Sequence, residues 1–254
     1  MLIQCGENFL SSDEAAVPKK CVVICSGGLD STTAAAHARY IDNRDVTLLY
    51  FRYGCRAERC ETRAVQNVAN ALGAQAVFWD IEWLKRLGNS RLTVPNTEIT
   101  LGKAGAEYPH EWVPARNLLF LAHTAAFCDA EQIEFIYMGL NLEEGAVYPD
   151  NTIEFYQRAE RLLQFATLVR PRIEMPLARM MKWQIVRHAR EIDAPIRLSW
   201  SCYRDGPLHC GRCGPCYMRR TAHRMLHLTD SIEYESDIEN ASSENRRVQV
   251  AGIV

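Results

Sequence analysis

The sequence of 254 residues is long enough for one large domain, or for one domain with a smaller appendage. Its hydrophobic and charged fractions are those of a globular protein, and no apolar run approaches the roughly 18 residues that a membrane span requires. The net charge of −2 gives no reason to expect a nucleic acid as the main partner. Residues 1–20 contain acidic side chains and lack a cationic start, so we predict no signal peptide and expect a cytoplasmic location.

The first clear unit of the chain combines a strand, a glycine-rich loop and a helix. Residues 21–25 are an apolar, β-branched run of strand length, and the small residues of 32–38 favour a helix. A turn of this kind directs backbone N–H groups and the positive end of the helix toward one point, which predicts an anion site. A plain turn in which Ser31 caps the helix is the alternative. The loop reads Ser26, Gly27, Gly28, Leu29, Asp30 and Ser31.

Strand and helix patterns then alternate as far as residue 191, which predicts an α/β fold with a parallel sheet and helices on both faces. The predicted strands are residues 21–25, 46–51, 74–80, 134–139 and 172–175. The predicted helices are residues 32–38, 57–72, 81–87, 117–128, 152–169 and 180–191. The second of these helices is amphipathic, and Gly73 is expected to end it.

Two polar loops interrupt this alternation, at residues 88–115 and 140–150. A long loop inside a compact α/β domain usually has a function. Ligands of such folds bind at the carboxyl ends of the strands, near the point where the strand order reverses. We therefore expect the loops 26–31, 52–56 and 140–150 to be neighbours.

Ten cysteines are present, and four of them fall within fifteen residues near the C-terminus. In a reducing compartment this clustering favours a metal site over disulfides. Thiolates two residues apart can bind one tetrahedral Zn²⁺, and four thiolates would close its coordination shell, so the site would be structural. A four-iron, four-sulfur cluster is the alternative, and His209 is expected to lie outside the ligand set. The four candidate ligands are Cys202, Cys210, Cys213 and Cys216.

The loop at 26–31 resembles, in every fixed position, the SGGxDS signature of the PP-loop ATP pyrophosphatases. Together with the C-terminal cysteines it resembles the 7-cyano-7-deazaguanine synthase (QueC) family over residues 20 to 228. Shorter matches to that family follow in the same order. They are YGxR at 53–56 with Glu61, VPxRN at 113–117, YPD at 148–150, PL…K from Pro176 to Lys182, and Ser-Cys-Tyr at 201–203.

The sequence pattern and the resemblance together predict a domain order: an N-terminal extension (1–20), a PP-loop nucleotide-binding domain (21–199), a zinc module (200–228) and a peripheral or partly disordered tail (229–254). The resemblance also implies an ATP-dependent carbon–nitrogen ligase that acts on 7-carboxy-7-deazaguanine, uses Mg²⁺ and Zn²⁺, and forms a homodimer. The substrate carboxylate would be adenylated, ammonia would displace AMP, and a second activation would dehydrate the amide to the nitrile.

The same resemblance assigns residues to the activation of ATP. Asp30 would help to place Mg²⁺, Arg116 would contact phosphate or the adenylate, and Lys182 would neutralise the leaving phosphates. A surface ion pair is the alternative for Arg116, and a solvated helix face is the alternative for Lys182. The residues implied to bind ATP are Ser26, Gly27, Gly28, Leu29, Asp30, Ser31 and Tyr53.

The residues implied to bind the substrate are Arg56, Asn117, Glu144, Tyr148 and Asp150. The carboxylate of Asp150 would read the guanine-like edge, although it could instead cap the helix near Thr152. Tyr148 would stack on the purine-like ring or fill the core, and Asn117 could shape its loop by hydrogen bonding.

The loop before YPD departs from the family pattern, as do residues 57–60 and the N-terminal extension. Glu144 takes the place of an Asp, and Ala146 and Val147 replace a Ser-Gly pair in the loop before YPD. Losing a glycine and a hydroxyl changes the backbone and the polarity of a loop that should approach the substrate. We therefore keep an alternative, in which the activated deazaguanine is joined to another amine, such as a protein N-terminus in antiviral defence, and the reaction stops at an amide.

Overall fold

A computed structural model of the protein describes residues 17–99, 101–102, 109–235 and 237. Five parallel strands form one sheet in the order β3-β2-β1-β4-β5, so the predicted parallel α/β fold is confirmed. The order reverses beside β1, where β2 lies on one side and β4 on the other. The strands are β1 (Lys20–Ile24), β2 (Asp45–Arg52), β3 (Gln75–Asp80), β4 (Phe135–Met138) and β5 (Arg172–Glu174).

Six α-helices of the described residues surround this sheet. They are α1 (Leu29–Tyr40), α2 (Glu58–Leu72), α3 (Arg116–Glu131), α4 (Ile153–Ala166), α5 (Lys182–Glu191) and α6 (Gly214–Met225). Short 3₁₀ helices occupy Glu82–Arg86, Pro109–Glu111, Glu144–Ala146, Pro149–Asn151 and Ile196–Leu198. The predicted helix at 81–87 is thus a 3₁₀ helix, and Gly73 ends α2 in a left-handed conformation, as expected.

Helices cover both faces of the sheet, because successive strand residues point to opposite sides. On one face, Cys21 and Val23 pack with residues of α1, α2, α5 and α6. On the other face, Val22 packs with residues of α3 and α4. Nearly continuous apolar strands therefore produce two cores, which is typical of a parallel sheet.

The first helix begins earlier than the sequence pattern predicted. It starts at Leu29 with Gly28 as its N-cap, so the assignment of Ser31 as the cap is wrong. Asp30 and Ser31 lie in the first turn instead, where a negative side chain is favoured by the helix dipole. The run of small residues at 32–38, from which the helix was predicted, covers only its later turns.

The cysteine-rich segment folds around α6 and contacts two other parts of the chain. In the described part of the 88–115 loop, Gly102 donates a hydrogen bond to the carbonyl of Arg212 (2.7 Å). The first residues of the segment predicted to be a peripheral tail also pack here: Asp230 forms an ion pair with the buried Arg219, and Tyr234 is buried beside the cysteines. Residues 1–16 of the predicted extension, and most of the tail, lie outside the described residues, and the predicted domain boundaries stay predictions.

A search of the described residues finds no helix with both the length and the apolar character needed to cross a membrane.

Candidate active site

The glycine-rich loop lies between β1 and α1, at the point where the strand order reverses. Gly27 has a φ of +73°, and a Cβ there would lie 2.9 Å from Ala64 Cβ, so only glycine fits. Ser26 Oγ accepts a hydrogen bond from the Gly28 N–H (3.3 Å) and lies 3.3 Å from Ser31 Oγ. The N–H groups of the first helical turn have no acceptor within the helix. This arrangement suits an anion, as the sequence predicted.

Below this loop, Asp30 and Lys182 form a buried ion pair. The Lys182 ammonium donates a hydrogen bond to Asp30 Oδ2 at 2.5 Å, and Asn141 Nδ2 donates to the same oxygen at 2.7 Å. Glu144 Oε1 lies 3.8 Å from Lys182 Nζ. The side chain of Lys182 is only 13% exposed, so the alternative of a solvated helix face is wrong.

The second carboxylate oxygen of Asp30 is available to a ligand. Asp30 Oδ1 is buried and has no hydrogen-bond partner among the described residues. Buried carboxylate oxygens are normally satisfied, and an unsatisfied one next to a phosphate-type loop is a typical position for a ligand of a divalent cation. The residues present therefore fit Mg²⁺.

Arg116 and Tyr53 face each other across the same region. Arg116 is the first residue of α3, and its guanidinium donates a hydrogen bond to the Tyr53 hydroxyl at 3.2 Å. The guanidinium lies over the Tyr53 ring, 5.7 Å from its centroid. Its partner is thus a buried phenol, which contradicts the alternative of a surface ion pair.

Asp150 caps a helix, but the helix is α3 and not α4. Its Oδ2 accepts a hydrogen bond from the Asn117 N–H (3.1 Å), and Asn117 Nδ2 donates to the Asp150 carbonyl (3.1 Å) and lies 3.5 Å from Oδ1. Thr152 caps α4 instead, through a hydrogen bond from the Phe155 N–H. The predicted alternative for Asp150, a cap of α4, is therefore wrong.

Of the remaining predicted substrate residues, Arg56 and Tyr148 contact the long 88–115 loop. Glu144 instead contacts Asn151. Arg56 donates a hydrogen bond to the carbonyl of Thr97 at 2.7 Å and so fixes that loop. The Tyr148 ring stacks on Trp112, with centroids 5.9 Å apart and planes 18° from parallel. Asn151 Nδ2 donates to Glu144 Oε2 at 2.9 Å, which holds the Glu144 side chain.

A cavity of about 250 Å³ joins these groups. Its lining takes residues from the loops 26–31, 52–56 and 140–150, so the prediction that these loops are neighbours is confirmed. Gly27 and the four clustered cysteines are the only predicted site residues outside this lining. The individual roles assigned to the lining residues remain predictions.

Two glutamates that line the cavity have pKa values raised toward neutrality. Burial raises the pKa of Glu61 to about 7, against the hydrogen bonds from the Tyr50 hydroxyl and the Cys55 thiol. Burial also raises the pKa of Glu111 to about 7, against the positive charge of Arg91. Neither glutamate, nor Asn141, was assigned to the site from the sequence.

The four predicted metal ligands form one buried cluster, in which all sulfur atoms lie within 4.8 Å of one another. The Cys210 and Cys216 sulfurs are 4.0 Å apart, as are those of Cys202 and Cys213. Tetrahedral Zn²⁺ with bonds of about 2.3 Å would place its sulfurs about 3.8 Å apart. In an iron–sulfur cluster with four irons, each cysteine sulfur binds a different iron, so the sulfurs lie farther apart. The observed sulfur spacing therefore favours one zinc ion.

His209 lies outside this ligand set, as expected. Its Nε2 accepts a hydrogen bond from the Ser201 N–H (3.0 Å), and its ring packs on Trp200 with centroids 4.1 Å apart. The histidine therefore supports the segment that leads into the cysteines.

The family described as "Queuosine biosynthesis protein QueC" matches residues 20–227 of this sequence. The chain belongs to the QueC family. Among curated relatives, it is 43% identical over 223 residues to the 7-cyano-7-deazaguanine synthase 2 of Sulfurisphaera tokodaii, covering 86% of this chain and 48% of that protein. It is 38% identical over 224 residues to the 7-cyano-7-deazaguanine synthase of Methanothrix thermoacetophila, covering 85% of this chain and 99% of that protein.

The chain spans about half the length of several QueC relatives, including those of Sulfolobus acidocaldarius and Saccharolobus solfataricus (48% and 47%). It spans nearly the whole length of others, such as the Methanocaldococcus jannaschii synthase, to which it is 34% identical over 230 residues. The part of this chain that matches the family, residues 20–227, includes the glycine-rich loop, the lining of the cavity and the four cysteines.

Proposed function

We propose that this chain is an ATP-dependent carbon–nitrogen ligase that converts 7-carboxy-7-deazaguanine to 7-cyano-7-deazaguanine and releases AMP and pyrophosphate. The observation that carries the proposal is the buried Asp30–Lys182 pair beside the glycine-rich loop, in one cavity with Arg116 and the Trp112–Tyr148 stack. The cavity thus combines groups for polyphosphate with groups for a flat ring. Membership of the QueC family supports the choice of substrate.

In this proposal the loop at 26–31 holds the pyrophosphate part of ATP, while Lys182 and Arg116 offset its negative charge. Asp30 Oδ1 would hold Mg²⁺, which supplies additional charge neutralisation when bound. The two cationic side chains lie on regular secondary structure, because Lys182 is the first residue of α5 and Arg116 is the first residue of α3. The protein contributes mainly position and charge, since adenylation requires little covalent chemistry from its side chains.

The bond changes follow from the weak electrophilicity of a carboxylate. A carboxylate oxygen attacks the α-phosphorus of ATP, pyrophosphate leaves, and a mixed anhydride with AMP forms. Ammonia attacks the acyl carbon, AMP departs with the bonding electrons, and loss of a proton gives the amide. A second ATP activates the amide oxygen in the same way, and departure of AMP with loss of the two amide protons gives the nitrile.

The four cysteines would hold Zn²⁺ in a structural role. Four thiolates leave no coordination position for water or substrate, so the metal stabilises the C-terminal segment. A homodimer and a cytoplasmic location are further parts of the proposal, taken from the family resemblance.

To test the proposed reaction, the purified protein is incubated with ATP, Mg²⁺ and 7-carboxy-7-deazaguanine, with ammonium as the only amine. AMP is quantified by chromatography and the heterocycle is identified by mass spectrometry. We expect substrate-dependent AMP and the nitrile. No AMP would reject the ligase, and AMP without nitrile would favour the alternative in which another amine is used and the product is an amide.

Asp30→Asn provides the matching variant, because it keeps the shape of the side chain and removes its charge. We expect AMP formation to fall by at least about a hundredfold, in line with the loss of one preorganised electrostatic group. Asp80→Asn is the control, because Asp80 forms an exposed ion pair with Arg52 and is not part of the cavity lining. Retained turnover in Asp30→Asn would refute the role of Asp30.

A further inference from the structure

Glu111 is held on a fixed piece of backbone beside the cavity. It ends the 3₁₀ helix Pro109–Glu111, and its carbonyl accepts a hydrogen bond from Ser90 Oγ (3.1 Å). The carbonyl of the preceding His110 accepts from the Arg91 N–H (2.9 Å). The two contacts join Glu111 to residues 90 and 91, so its side chain enters the cavity from a defined position.

The carboxyl group of Glu111 is buried without full hydrogen bonding. The residue is 3% exposed, and the Tyr203 hydroxyl hydrogen-bonds to its carboxyl group. Oε1, however, has no hydrogen-bond donor within the part of the chain that the structure describes. An unsatisfied buried carboxylate oxygen costs free energy in the folded protein, and this cost is commonly retained where a ligand supplies the donor. The raised pKa of Glu111 is a consequence of the same burial.

The surroundings of this oxygen suit a flat heterocycle. Trp112, the next residue, stacks on Tyr148, and Val113 is buried beside them. All of these residues line the cavity together with Glu111. Aromatic faces bind planar rings, and a carboxylate at the edge of such a ring accepts its N–H donors.

The other carboxylate expected to read the ring is already engaged. Asp150 accepts a hydrogen bond from the Asn117 main chain and lies against the Asn117 side chain. Its hydrogen bonds fix the start of α3, and any ligand bond from Asp150 would compete with them. Among the described residues, none donates a hydrogen bond to Glu111 Oε1.

We propose that Glu111 accepts hydrogen bonds from the ring N–H and the 2-amino group of the deazaguanine, and thereby selects the heterocycle. The identity of that heterocycle rests on the proposed function. A guanine-like edge presents two adjacent donors, which match a carboxylate. The corresponding edge of adenine presents one donor and one acceptor, and the acceptor would repel the carboxylate. The same group therefore attracts the substrate and rejects the base of ATP.

The test measures binding by calorimetry, so that it does not depend on turnover. The ligands are 7-carboxy-7-deazaguanine and its analogue without the 2-amino group, and the proteins are the wild type, Glu111→Gln and the control Glu154→Gln. Glu154 is an exposed residue of α4 that pairs with Arg158. We expect Glu111→Gln to weaken binding of the substrate roughly 10- to 100-fold, the range expected for a charged hydrogen bond. Loss of the 2-amino group should weaken binding to the wild type and change binding to Glu111→Gln little.

Unchanged substrate affinity in Glu111→Gln would overturn the assignment, and so would a selective loss of ATP affinity. If that variant does not fold, the analogue still decides, because equal binding of the two ligands to the wild type also overturns it. Failure of the proposed reaction would give a different result. The wild type would bind 7-carboxy-7-deazaguanine more tightly than the analogue without the 2-amino group, but it would release no AMP.

Discussion

Glu61 shows how the site affects stability at the scale of single residues. It lies beside Gly27, and burial raises the pKa of its carboxyl from 4.5 to about 7. The folded state therefore prefers the protonated acid, whereas the unfolded chain ionises at its ordinary pKa. As the pH rises from about 4.5 to about 7, the unfolded state loses its proton first, and the free energy of unfolding falls.

We predict that Glu61→Gln removes this part of the pH dependence. Between about pH 4.5 and pH 7 the wild type should lose up to about 3 kcal/mol relative to the variant, since one pKa unit corresponds to about 1.4 kcal/mol. Urea unfolding at several pH values measures the difference, with the exposed Glu154→Gln as the control. Parallel curves for the wild type and Glu61→Gln would contradict the raised pKa.

The sequence predicted single residues where a short pattern marks them. Asp30 is part of the six-residue signature at 26–31, and Lys182 follows the Pro-Leu pair at 176–177 in the family pattern. Asn141 and Glu111 belong to no pattern, because an isolated polar residue in a loop does not reveal its burial. The contact of Asn141 with Asp30 spans 111 residues and depends on β4 lying next to β1. A polar residue just after a buried strand was the available signal for Asn141.

At the scale of elements, the caps decide boundaries that periodicity leaves open. Thr152 caps α4, and α1 begins three residues before the predicted run, because residues 29–31 of the glycine-rich loop form its first turn. The strands were predicted to within two residues at each end, because buried parallel strands are continuous apolar runs with few alternatives.

We predict that Thr152→Ala lowers the free energy of unfolding by about 1 kcal/mol, because the Phe155 N–H loses its acceptor. Thr62→Ala is the matched control. The Thr62 hydroxyl bonds to a carbonyl of its own helix, so the same change there should be neutral or slightly stabilising. Equal effects of the two substitutions, measured by urea unfolding, would show that Thr152 is not a working cap.

At the scale of the whole molecule, the segment that holds the four cysteines is hydrogen-bonded to the glycine-rich loop. The main-chain N–H of Trp200 donates a hydrogen bond to the carbonyl of Gly27 at 2.7 Å. Arg219, 1% exposed, donates to Ser199 Oγ and Ser201 Oγ on either side of Trp200 and pairs with Asp230. We therefore infer that order around the cysteines also stabilises the conformation of the glycine-rich loop. The sequence indicated both sites but not this connection, because no motif includes Trp200 or Arg219.

We predict that Cys213→Ser loses zinc and also binds ATP more weakly. The expected rise in the ATP dissociation constant is about two- to tenfold, the worth of one hydrogen bond to the loop. Zinc is measured by elemental analysis and ATP binding by calorimetry. Cys128→Ser is the control, since Cys128 is a buried cysteine of α3 outside the cluster. A zinc-free variant with unchanged ATP affinity would contradict the connection, and full zinc content would contradict the four-thiolate site.

The proposed reaction depends on activation of the substrate carboxylate by adenylation. The most direct measurement follows the oxygen atoms, using 7-carboxy-7-deazaguanine labelled with oxygen-18 in both carboxylate positions and mass spectrometry of the released nucleotide. Adenylation predicts that every AMP carries one heavy oxygen, because the activated oxygen departs with it. Unlabelled AMP, with the label in pyrophosphate or phosphate, would contradict the account.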